Sequence, residues 1–263
     1  MEVAHAFVVP AFGRPPWLAE CLESLQQQTV RSRIRIVTST PNDHITRVAE
    51  RAGVEVRVNP ARAGIAGDWN FALTLGHARW VTLAHQDDWY APTYTERCLA
   101  AATASPAPLL VFTSALERTA DGAVVPHSRI KRLLCETTFL GQSTIGSPWR
   151  KRLLLSFGDP IPCPTVMLHR ALQPDFFFPS GFDAALDWAA WVDLARRPGD
   201  FVYVREPLVH WRVHVSSATH VHVASLAAED QRVLRSLWPE PIAGLIGRLY
   251  AAGRRRYDDP SRK

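Results

Sequence analysis

Asn59–Tyr90 reads NPARAGIAGDWNFALTLGHARWVTLAHQDDWY. A helix is expected over about Ile65–His77. An apolar strand, Trp80–Ala84, follows and runs out onto two adjacent carboxylates, Asp87 and Asp88. An acidic pair at the end of a buried strand is costly to fold unless a cation sits beside it. Open α/β sheets bind ligands at the carboxyl ends of their strands. A divalent metal carrying a phosphorylated ligand is therefore the natural occupant, and the pair marks an enzyme site. The competing reading is a solvated loop capping the next helix, since Asp-Asp-Trp followed by Pro92 is also good helix-start chemistry.

Outward from this stretch, strand and helix alternate. Strands are expected at His5–Ala11, Arg33–Thr38 and Val54–Val58. Helices are expected from Pro15-Pro16 through Gln28, over Asp43–Arg51, and again from Pro92. That rhythm predicts a doubly wound, mostly parallel sheet with function at its carboxyl edge. The second half is less regular. It offers a strand at Leu109–Thr113, a hairpin turn at Asp121-Gly122, helices around Lys131 and Arg150, and a stiff loop, Gly158–Pro164. A strand at Thr165–His169, a helix over Asp183–Arg197, short strands at Phe201–Val204 and Leu208–His214, and helices broken at Trp238-Pro239 complete the chain.

Composition narrows the class. The 263 residues are 47% hydrophobic and 21% charged, enough for one large α/β domain and too apolar for disorder. The net charge of +5 is carried by arginine, with lysine only at 131, 151 and 263. That balance suits anionic substrates or a membrane face and no nucleic-acid partner is expected. Cys21, Cys98, Cys135 and Cys163 lie far apart with no C-x-x-C pair, so reduced thiols in a cytoplasmic protein are expected. No signal peptide or membrane span is read, and the basic C-terminal RLYAAGRRRYDD is the segment suited to peripheral contact at the inner face of the membrane. Dinucleotide, P-loop and G-x-S-x-G motifs are missing.

Two further clusters carry candidate chemistry. In FDAALDWAAWVDLA, Asp187 sits among apolar helix positions beside Trp188 and one turn from Trp191. An acid in apolar surroundings takes a raised pKa, which suits a general base; the other reading is a first-turn aspartate favoured by the helix dipole. In Leu208–His214 (LVHWRVH), His210, Arg212 and His214 share one strand face, where a histidine suits a metal and an arginine a phosphate. His220 and His222 invite a zinc reading, but no fixed acid–histidine spacing accompanies them.

In this order the pieces resemble glycosyltransferase family 2, the inverting nucleotide-sugar transferases of GT-A fold. Val8–Pro15 with Leu18-x-x-Cys21-Leu22-x-Ser24-Leu25-x-x-Gln28-Thr29 looks like the family's opening. Asn59–Ala72, with Gly64 and Asn70, resembles its N-x-x-x-x-G-x-x-x-x-x-N-x-A segment, and Ala84–Asp88 falls at its DxD-type motif. Leu186-Asp187-Trp188 with Trp191 stands at its E-D-W-x-x-W, and Pro207–His214 at its P-L-[VL]-x-[YW]-R-x-H.

The resemblance implies a GT-A-type, Rossmann-like sheet with C-terminal helices. A catalytic domain over 1–220 would divide into a nucleotide-binding half (1–105) and an acceptor half (106–220), with 221–263 a helical extension packed on it. It implies one Mn²⁺ or Mg²⁺ at Asp88 and Asp87, completed by His214, with Asp187 as catalytic base. The donor, a UDP, GDP or dTDP sugar, would meet Pro10, Ala11, Phe12, Arg14, Gly64, Asn70, Gln86 and Arg212; the acceptor would be a carbohydrate, lipid-linked or small-molecule hydroxyl. Three departures stand out. The acidic turn that usually reads the base is Thr38–Asp43 here, leaving Ser39, Thr40 or Asp43 as substitutes. His85 replaces the first acid of the metal motif, and Leu186 replaces a glutamate. A catalytically degenerate nucleotide-sugar-binding or partner-docking protein is the rival reading; a nucleotidyltransferase would need a fuller phosphate loop than Phe12-Gly13-Arg14.

Overall fold

The computed structural model describes residues 4–61, 64–119, 124–126, 129–214 and 223–255. Strands β1 (His5–Pro10), β2 (Arg33–Thr38), β3 (Glu55–Val58) and β4 (Trp80–Leu83) alternate with helices α1 (Leu18–Gln26), α2 (Asp43–Ala52) and α3 (Gly64–Leu75). These four strands pair in the order β3-β2-β1-β4, all parallel. β1 is buried on both faces through Val9, which is why it reads as a continuous apolar run. α1 buries Leu18, Cys21, Leu22 and Leu25, the 3.6-residue stripe of a helix lying on a sheet. Asn42 caps α2 by accepting from the backbone N–H groups of His44 and Ile45, and Gly53 ends it at φ +62°.

After β4 come β5 (Trp89–Tyr90), α4 (Tyr94–Ala102), β6 (Pro108–Thr119), β7 (Val124–Pro126), α5 (Arg129–Phe139), β8 (Thr144–Ile145) and α6 (Pro148–Leu155). A 3-10 turn (Cys163–Thr165), β9 (Val166–His169), α7 (Leu186–Ala195), β10 (Asp200–Val213), α8 (Val223–Leu237) and α9 (Glu240–Arg255) follow. The sheet continues β4-β9-β6-β10-β5, with β7 on β6 and β8 on β10. β9 runs antiparallel to both β4 and β6, while β6 and β10 are parallel. The expected α/β class holds, with the uninterrupted parallel part of the sheet confined to the first four strands.

Two expected elements change. The short strands at Phe201–Val204 and Leu208–His214 are one strand, because bulges around Pro207 absorb a residue that cannot donate to the ladder. Leu109–Thr113 is the first half of the longer β6. The expected turn at Asp121-Gly122 lies outside the described residues, as do His220 and His222; the strands flanking the turn pair antiparallel. Apolar layers cover both sheet faces: one includes α1, α2 and α4 residues, the other α3, α6, α7, α8 and α9 residues. Trp188 and Trp191 are fully buried in the second layer and donate through Nε1 to the carbonyls of Leu155 and Ile161. Those bonds fix the start of α7. Among the described residues, no helix is long and apolar enough to cross a membrane.

Candidate active site

A cavity of about 690 Å³ opens where the loops after β1, β2 and β4 meet the 159–164 loop and the start of α7. Its first wall is held by short polar contacts between those loops. Phe12 N–H donates to Gln86 Oε1 at 2.8 Å, and Gly13 N–H to Thr40 Oγ1 at 2.9 Å. Asn42 Nδ2 donates to the Gly13 carbonyl at 2.7 Å, and Gly13 adopts φ +66°, a conformation that glycine accepts without strain. Pro10, Ala11, Phe12, Ser39, Thr40 and Gly64 all line the cavity.

The loop after β4 carries the acidic pair: Asp87 lines the cavity and Asp88 sits behind its wall. Asp88 is buried; its Oδ1 accepts from the Arg212 backbone N–H at 2.9 Å, and its Oδ2 has no hydrogen-bond partner among the described residues. Burial, then the neighbouring charge of Asp87, pushes the Asp88 carboxyl well above the ordinary carboxylate range. Asp87 Oδ2 lies 2.7 Å from His214 Nε2. His85, with Asp87 and Asp88, offers donor atoms all within 4.8 Å of one another. Burial holds the His85 imidazole below its usual pKa, hence neutral at pH 7, and its Nε2 is likewise unpartnered. Two carboxylates and a neutral imidazole, two of them with orphaned atoms, form a donor set suited to a divalent ion.

Asp187, in the first turn of α7, lines the same cavity. Its Oδ1 accepts from Trp188 N–H at 2.9 Å and its Oδ2 from Cys163 N–H at 3.3 Å. Burial nevertheless raises its pKa, outweighing those bonds and the cationic pull of Lys131. The loop leading into α7 is anchored by Glu229 of α8, whose carboxylate accepts from the N–H groups of Asp183, Ala184 and Ala185. Burial would raise the Glu229 pKa, but these backbone bonds hold it below the ordinary value. A C-terminal helix thus positions the acid.

Of the residues expected at the site, Pro10, Ala11, Phe12, Ser39, Thr40, Gly64, Gln86, Asp87, Asp187 and His214 line the one cavity. Five do not. Arg14 and Asp43 are exposed outside its lining. Asn70 clamps Phe178, donating to its carbonyl and accepting from its N–H. Asp88 and Arg212 lie behind the wall. The Arg212 guanidinium donates to Glu20 Oε2 at 2.8 Å and to the Asp87 carbonyl at 2.9 Å, stacked over Trp17. It therefore braces the acidic loop from behind.

Sequence reasoning missed several cavity acids and bases, Asp230 of α8 among them. His85 was read only as a departure from the acidic motif. Asp68, accepting from Ser39 Oγ at 2.7 Å and Asn59 Nδ2 at 2.8 Å, sat unremarked in the quoted stretch. Asp159 was visible only as an acid in a proline-rich loop.

The profile of Glycosyl transferase family 2 matches residues 6–167, more than half of the chain, and runs from β1 past β4 and its acidic loop. The chain belongs to glycosyl transferase family 2. No curated protein matches it significantly. Among solved structures, residues 1–349 of S. aureus TarS in complex with UDP-GlcNAc superpose with a TM-score of 0.63. Identity is 14%, covering 92% of this chain and 70% of that one. Glucosyl-3-phosphoglycerate synthase from Mycobacterium tuberculosis, in complex with phosphoglyceric acid, gives 0.57 at 14% identity, covering 86% and 79%. Against a longer TarS chain the TM-score is 0.58 at 16% identity, and this family member spans 42% of that chain's length. At such identities the likeness establishes the fold, which is that of GT-A glycosyltransferases.

Proposed function

We propose that this family member is an inverting glycosyltransferase that moves a sugar from a UDP, GDP or dTDP sugar to a hydroxyl acceptor, with Asp187 as general base. The observation that carries the reading is one cavity lined by both the His85–Asp87 cluster and Asp187. The UDP-GlcNAc complex of TarS, sharing this fold, supports a nucleotide-sugar donor. The diphosphate would lie by the acidic cluster and the nucleoside along Pro10–Phe12 and Ser39–Thr40.

His85, Asp87 and Asp88 would hold one divalent ion, with His214 orienting Asp87; the imidazole in that set favours Mn²⁺ over Mg²⁺. Such an ion, when bound, offsets negative charge on the leaving diphosphate. Asp187 takes the acceptor's proton as its oxygen attacks the anomeric carbon from the opposite face. Its two backbone N–H donors hold one orientation, and burial raises its affinity for that proton. Residues 106–220 would carry the acceptor side, with 221–263 packed on the same domain.

The test is a thermal-shift screen of UDP, GDP, dTDP and CMP with Mn²⁺ or EDTA, with Asp88→Ala as control, followed by transfer from the labelled sugar of the nucleotide that binds. Stabilisation requiring metal and Asp88, with transfer lost in Asp187→Asn, is the expected result. Donor binding with no transfer to any acceptor would favour the degenerate-binder reading.

A further inference from the structure

The cavity holds a second carboxyl that the proposed reaction leaves unused. Asp159 lies in the stiff loop after α6, where its Oδ1 accepts from Ile161 N–H at 2.9 Å. Two residues on, the same loop donates Cys163 N–H to Asp187 Oδ2. One short segment thus grips both carboxyls, and the two side chains are hydrogen-bonded to each other. An ionised carboxylate only accepts, so two carboxyls in a hydrogen bond must keep one proton between them.

Asp187 receives two backbone N–H bonds and sits in the first turn of α7, at the positive end of the helix dipole. Asp159 receives one such bond. The negative charge therefore settles on Asp187 and the proton on Asp159. Lys131 of α5, His85 of the β4 loop and Cys163 of the 3-10 turn also face the pair; Asp230 and Tyr250 of α8 and α9 line the same cavity. Lys131 is the cation among them. It favours a pair of net charge −1 over a neutral one.

We propose that Asp159 is a positioning residue that keeps its proton and donates it to the Asp187 carboxylate, so that Asp187 is ionised and aimed before the acceptor arrives. The proposal rests on Asp187 being the base. In the step, the acceptor O–H proton moves to Asp187 and the acceptor oxygen bonds the anomeric carbon. The bond from that carbon to the diphosphate breaks with its electron pair, and the Asp159 proton stays in place.

Two measurements test it. The infrared difference spectrum of wild type minus Asp159→Asn at neutral pH reads the proton without needing turnover. A protonated carboxylic acid band in the wild type, lost in the variant, is expected; its absence overturns the proposal. The pH profile of kcat/KM reads the coupling. Asp159→Asn, which still donates, is expected to keep the acid limb in place, and Asp159→Ala to move it up by about one pH unit. Superimposable limbs in all three proteins would overturn it. Full turnover in Asp187→Asn would instead overturn the base reading, leaving the infrared result to judge the pair.

Discussion

The backbone N–H of Arg212 donates to Asp88 at 2.9 Å and joins the far end of β10 to the loop after β4. The Arg212 side chain then reaches past that loop to the Asp87 carbonyl and Glu20. One residue thus ties down the loop of both acids from behind, while Asp87 faces the cavity and Asp88 Oδ2 has no hydrogen-bond partner among the described residues. Arg212→Ala is expected to cost about 2–3 kcal/mol, less than a fully buried pair because Glu20 is partly exposed. Urea denaturation measures this. Arg212→Lys should recover less than half, since an ammonium cannot reproduce the guanidinium fork.

Asp88 predicts an unusual pH response. Its folded pKa is raised above the unfolded value, so the metal-free protein is favoured below the unfolded pKa and loses stability as pH rises through the window up to the folded value. Asp88→Asn should therefore be more stable than wild type at pH 7 by about 1–2 kcal/mol. That gap should close near pH 4. Adding Mn²⁺ should raise the wild-type Tm and leave the variant unchanged; a variant less stable than wild type at pH 7 without metal would contradict the argument.

His5 titrates in the opposite sense. It is buried in β1 between Ser32 Oγ at 2.8 Å and Thr82 Oγ1 at 3.1 Å, and burial lowers its pKa to about 3. The unfolded chain binds a proton below pH 6.5 that the folded chain refuses, so stability falls as pH drops from 6.5 toward 3. The gap between wild type and His5→Gln should narrow by about 3 kcal/mol between pH 7 and pH 4, at ~1.36 kcal/mol per unit. Parallel stability curves would exclude this.

For Asp187→Asn the expected loss of transfer is about 10²–10⁴-fold. Nucleotide affinity by calorimetry should hardly change, because Asp187 hydrogen-bonds Cys163 and Trp188 and none of the residues of the proposed nucleoside wall. Equal loss of both would remove the base assignment.

Much of the fold was legible from local pattern. The β1–β4 strands and their helices emerged within two or three residues of their expected bounds, because burial on a sheet imposes a period that side-chain type reports directly. The join of β10 across Pro207 was not legible, because proline normally stops a strand and only the neighbouring ladder with β6 carries it through.

The site divides the same way. The sequence by itself determined which acids end up at strand and helix ends, Asp87, Asp88 and Asp187, since their chemistry is odd for their local surroundings. Only the tertiary structure decided that Arg212 turns to Glu20, that Asn70 clamps Phe178, that Asp68 meets Ser39 and that Asp159 meets Asp187. Those pairs join residues from different elements, and no local pattern records which side chains the crossing of the chain will bring within reach.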